Sequence, residues 1–204
     1  MSFPAFFSEV KNLVLRDPLA EFLGAAQNGI MEYGYADAVK LAGHSCPTVA
    51  GAYLMILKAL VALYDGKTPE RGAVRVECRD DVASGVTGVI ANVASLLTGA
   101  AQNGGFKGIG GRFDRRNLLS FNAAITGELR FTRLDSGASV EVRYHPELVP
   151  PAPGMKDLMQ KAMAGVATAA EQAEFAALWQ DRVKRILIDQ FDNPELVALT
   201  HGRA

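Results

Sequence analysis

From Pro47 to Tyr64 the chain is apolar at almost every position, and Lys58 is the only charged residue in the run. Alanine and leucine make it a strong helix former. Pro47 suits the first helical position, where its missing N–H forfeits no hydrogen bond. A helix that is apolar all round has to be buried, so this one is expected inside the protein. Its continuous apolar stretch, Val49 to Tyr64, contains Lys58 and is expected to be too short to span a bilayer comfortably. Asp65-Gly66 closes it.

Elements of both kinds are expected around this helix. Phe6, Val10, Leu13 and Val14 recur at helical spacing. Asp17-Pro18 reads as an N-cap and first helical residue, opening a helix to about residue 24. Residues 29–35 are punctuated by glycine and read as a loop. A short helix is expected over residues 35–41, with Gly43 just past its end. In residues 73–78 apolar and charged side chains alternate, which predicts a strand with Val74, Val76 and Cys78 on one face. Asp80 or Asp81 is expected to cap a helix to about Thr98, with Gly99 after it. Three further strands are expected over residues 118–125, 127–134 and 138–144, the last two joined by the turn Asp135-Ser136-Gly137. A proline-rich linker follows, and then two helices over residues 155–169 and 171–191. Their apolar stripe, which includes Phe175, Trp179, Val183 and Leu187, requires a surface to bury it.

The expected fold class is therefore α+β: a mixed or antiparallel sheet packed with helices, plus a C-terminal helical extension. A length of 204 residues suits one domain with an appendage. We read residues 1–150 as the α+β core with its N-terminal helices. Residues 151–204 read as a helical tail packed on the core or on a partner subunit.

Composition excludes some functions. The formal net charge is −1, which gives no basic excess for nucleic acid. The N-terminus lacks the basic region and cleavage pattern of a signal peptide. The expectation is a cytoplasmic protein that touches neither membrane nor nucleic acid, with both cysteines kept as thiols. No G-x-S-x-G elbow is present. The loop Gly108-Ile109-Gly110-Gly111 fails the dinucleotide pattern because Phe113 takes the last glycine position. What remains there is a basic loop bearing Lys107, Arg112, Arg115 and Arg116. It reads either as solvated surface or as a flap closing over an anionic ligand.

The most informative stretch is Gly43-His44-Ser45-Cys46-Pro47. With Pro47 as the first helical residue, Cys46 becomes the N-cap. Its sulfur then lies near free backbone N–H groups and the positive end of the helix dipole, which favour the thiolate. His44 offers an imidazole nitrogen from the same loop. Together they form a two-toothed N/S clamp suited to zinc, iron, nickel or copper. The competing reading is a cysteine buried as a small hydrophobe and a histidine that only bonds a carbonyl.

Gly43-His44-x-Cys46-Pro47-x-x-x-Gly51 resembles the signature of the FmdE family, which takes its name from formylmethanofuran dehydrogenase. Thr98-Gly99 followed by Gly104-Gly105-Phe106-Lys107-Gly108 is similar to that family's second block. The resemblance covers about residues 20–145. It implies an α+β core, commonly a homodimer, with a transition-metal site on His44 and Cys46. The family pattern often has a further cysteine after the Thr-Gly turn, where this chain has Ala100. The cysteine-rich C-terminal module of some members has no counterpart in this tail.

Two ligands are too few for a zinc site. Cys78, a carboxylate such as Asp37 or Asp81, symmetric ligands from a second subunit, or a larger cofactor would complete it. Cys78 reads more readily as a plain core residue, sharing the apolar strand face with Val74 and Val76. His145 reads as exposed, and His201 as part of the tail terminus. The expected function is metal binding, with a metal-dependent enzyme as its first form. Zinc stands foremost, nickel or iron as alternatives, and Lys107 on the loop would gate a small-molecule ligand. The alternative is a non-catalytic haem or metal carrier, sensor or accessory protein. It rests on the Cys46-Pro47 dipeptide and on thiolate and imidazole as axial ligands. Cysteine nucleophilic catalysis, with His44 as base, is a variant of the enzyme reading. The third reading is a purely structural or adaptor protein with both cysteines buried and inert.

Overall fold

A computed structural model describes residues 3–202. Its centre is α3 (Pro47–Tyr64), and 78% of this helix is buried against the rest of the chain. By length and composition alone α3 could cross a membrane, but its apolar faces are covered by protein. It packs on α2 (Tyr35–Ala42), on α4 (Thr87–Thr98) and on the sheet.

That sheet has five strands in the order β4-β3-β5-β6-β7. They are β3 (Val74–Cys78), β4 (Leu119–Ser120), β5 (Leu129–Arg133), β6 (Ser139–Tyr144) and β7 (Val197–Gly202). The β3–β4 pair is parallel and the others are antiparallel. The fold is thus α+β with a mixed sheet, as the alternating patterns imply. Val74, Val76 and Cys78 face the core together. Asp135-Ser136-Gly137 forms the β5–β6 turn, with the Gly137 N–H donating to the Arg133 carbonyl.

Several local readings require correction. Leu13–Arg16 is a strand, β1, not part of a helix; only Ala5–Glu9 upstream is helical, as a 3₁₀ segment. Residues 30–33, read as loop, form β2 (Ile30–Tyr33), the antiparallel partner of β1. The helix expected from Asp80 or Asp81 begins later, at Thr87. Asp81 instead caps a turn by accepting from the Ala83 N–H. Of the strand expected over residues 118–125, only Leu119–Ser120 is paired.

The tail lies on this chain's own core. It carries α5 (Met155–Met163) and α6 (Ala169–Lys184), which runs on into a π-helical turn at Arg185–Asp189. Val183, Ile186 and Leu187 are buried in the main core. The tail is not wholly helical, because β7 returns to pair with β6 along its length.

Candidate functional site

Local sequence chemistry builds the head of α3. Gly43 ends α2 in the left-handed conformation (φ 77°), which glycine adopts without strain. Pro47 begins α3, and the Cys46 sulfur accepts from the Val49 N–H at 3.4 Å. The predicted N-cap is therefore present. His44 is exposed on the connecting loop, with Nδ1 3.0 Å from the Ala42 carbonyl oxygen. A carbonyl only accepts, so Nδ1 donates. The neutral ring then presents Nε2 as a lone pair. Metal-binding histidines use this arrangement, with the far nitrogen held by an acceptor.

Residues distant in sequence fix the intervening Ser45. Trp179 Nε1–H donates to the Ser45 carbonyl at 2.9 Å, and Gln180 Nε2 donates to it at 3.2 Å. The Ser45 hydroxyl donates to Gln180 Oε1 at 2.9 Å. Its single proton being used there, the Tyr35 hydroxyl 3.0 Å away is the donor of their shared bond. Below, the Tyr144 hydroxyl donates to the Pro47 carbonyl at 3.2 Å, and its ring lies against Gly51. Burial pushes the phenols of Tyr35 and Tyr144 up, so both remain neutral donors.

His44, Ser45 and Cys46 line a cleft of about 310 Å³ with Phe175, Ala176, Trp179 and Gln180 of α6. Tyr35, Tyr144, Trp179 and Gln180 do not emerge from sequence reasoning as site residues. Gly51, a glycine inside a strong helix, is the one signal that something approaches closely there.

The other candidate residues lie apart. Cys78 is fully buried on the inner face of β3, and burial pushes its thiol up to about 12, with the Asp80 carboxylate adding to the shift. Among the described residues no three His, Cys, Asp or Glu side chains gather into a metal-sized group, so Cys78 does not join His44 and Cys46 in one. Asp37 accepts from the Gly34 N–H and pairs with Lys40; Asp81 accepts from Ala83 and Asn122. His145 bonds Glu147. Lys107 is exposed on its loop and is not among the residues lining the His44–Cys46 cleft.

The basic flap is corrected in one important respect. Arg115 is buried, with a side chain 7% exposed, and pairs with Asp17 at 2.7 Å. Arg71 meets the other oxygen of Asp17 at 2.9 Å. Burial alone would raise the Asp17 carboxyl, but the Arg71 hydrogen bond and the Arg115 charge outweigh it and hold the group below its ordinary value. Arg116 pairs with Asp114, and Arg112 lies over the Phe113 ring. Arg115 thus anchors the loop and is not available to a ligand.

Compared with known protein families and with curated proteins, the chain matches none.

Proposed function

We propose that this protein binds a transition metal through Nε2 of His44 and the sulfur of Cys46. One observation carries the reading: the two side chains line one cleft, and the 3.0 Å contact of His44 Nδ1 with the Ala42 carbonyl leaves Nε2 as the nitrogen open to a metal. The resemblance of the motif to the FmdE family supports it. The donor pair suits zinc first, and nickel or iron next.

Two donors leave the remaining positions to solvent, to a small-molecule ligand or to a second copy of the chain. The last fits the homodimer that the family resemblance implies. A metal with open positions acts as a Lewis acid on a bound carbonyl or water. This chain's own residues supply the frame. Ser45, Trp179 and Gln180 orient the loop, and Phe175 with Trp179 forms an apolar wall beside the sulfur. A reducing, cytoplasmic setting would keep Cys46 available as a ligand. That apolar wall also favours a second reading, in which Cys46 ligates a haem against Phe175 and Trp179.

Elemental analysis and an absorption spectrum of native, tag-free protein, beside Cys46→Ala and His44→Ala, test both. The expected result is a stoichiometric metal that both variants lose. A Soret band lost in Cys46→Ala would select the haem reading instead. Protein that holds no metal or haem, and takes up neither on titration, would overturn the proposal.

A further inference from the structure

A second, larger cleft of about 580 Å³ opens near the far end of α3. Lys58, in its wall, lies twelve residues beyond Cys46, or about 18 Å along the helix. The cleft is thus a site separate from the His44–Cys46 loop, and its volume falls in the range of small-molecule pockets, about 300–1,000 Å³.

Its lining is mainly apolar, contributed by Leu13, Leu57, Val61 and Phe191 among others. Three cations border it, Lys11, Lys58 and Lys67, and no carboxylate does. Lysine ion pairs in the described residues involve Lys40 and Lys161, not these three. Lys11 Nζ lies 4.0 Å from the centroid of the Phe191 ring, and Lys58 Nζ lies 5.3 Å from the same centroid. Two ammonium groups therefore share one aromatic ring, and the cleft they border supplies no anion to either. Burial pushes the Lys58 ammonium down; the neighbouring Asp192 opposes this without reversing it, and Lys11 adds to it.

Like charges held together beside an apolar wall are relieved by an anion, and an apolar wall is covered by an apolar body. No arginine lines the cleft to grip a phosphate in two-pronged fashion. We propose that this cleft binds a small organic carboxylate with an apolar body, its carboxylate beside Lys11 and Lys58 and its body along Leu57 and Val61.

Calorimetric titration of the full-length protein with decanoate and with decanol, which shares the chain but lacks the charge, tests this. Decanoate is expected to bind saturably at one site, with decanol at least about tenfold weaker. Lys58→Met should weaken decanoate by about tenfold, and Lys58→Arg should restore it to within about threefold. Lys11→Met, at an exposed position, should also weaken it and guards against misfolding at Lys58. Cys46→Ala should bind decanoate as the native protein does, which separates this site from the metal reading. Equal binding of decanoate and decanol, unchanged affinity in both methionine variants, or no saturation would overturn the proposal.

Discussion

The ring of Tyr144 occupies the notch that Gly51 leaves in α3: a β-carbon on residue 51 would lie 2.3 Å from Tyr144 Cε1. Helix propensity alone would favour alanine there by about 0.5–1 kcal/mol. The ring would have to move, however, and overpacking costs about 1–3 kcal/mol. Gly51→Ala should therefore destabilise the protein in urea titration. In a Tyr144→Ala background the same change should become neutral or stabilising, giving a clear coupling energy. Equal stability of Gly51→Ala and native protein would contradict this packing.

Asp17 faces two arginines, and one of them is buried. Asparagine caps helices as well as aspartate does, so Asp17→Asn can keep the α1 (Pro18–Phe22) cap on its amide oxygen while it removes the charge and the second acceptor oxygen that meets Arg71. The expected loss is about 3–5 kcal/mol at neutral pH, because two cations are left without their anion. The pH dependence has a definite sign. The folded carboxyl sits below its ordinary value, so its contribution is complete above the unfolded value of about 4 and fades as pH falls through the folded one. The stability gap between native and Asp17→Asn should narrow below about pH 4. A gap independent of pH would show that the charge is not what Asp17 contributes.

Trp179 holds the Ser45 carbonyl, and so the spacing between His44 and Cys46, through its indole N–H. Trp179→Phe retains the apolar wall but loses that donor. We expect about 0.5–1.5 kcal/mol of lost stability and a fall in zinc affinity of about 10-fold or more, read by chelator competition. Unchanged affinity would mean that the tail does not position the metal loop.

Features governed by neighbours in sequence are legible. The Cys46-Pro47 and Asp17-Pro18 caps, the Gly43 and Gly99 helix ends and the Asp135–Gly137 turn all depend on a few adjacent residues. Features governed by distant partners are not. Leu13 and Leu15 are buried while Val14 and Arg16 are exposed, which is a strand pattern. Four residues of it, preceded by Phe6 and Val10, match helical spacing as well. What decides is the pairing with β2, an element whose glycine-rich surroundings read as loop. β7 likewise owes its existence to β6. Arg115 looks in sequence like any cation on a solvated loop, because its partner Asp17 is 98 positions away. The His44–Cys46 pair is visible, but Trp179 and Gln180, which hold the residue between them, come from more than 130 positions downstream.

The Asp17–Arg71–Arg115 trio also bears on time rather than on energy alone. Its arginines stand 54 and 98 positions from the aspartate. Closing loops of that length loses chain entropy before any contact offsets it. We expect such a clasp to engage after the main folding barrier, in which case it would govern how slowly the native state opens more than how quickly it is reached. Asp17→Asn should accordingly refold at nearly the native rate and unfold much faster, shortening the interval for which the folded chain withstands a protease.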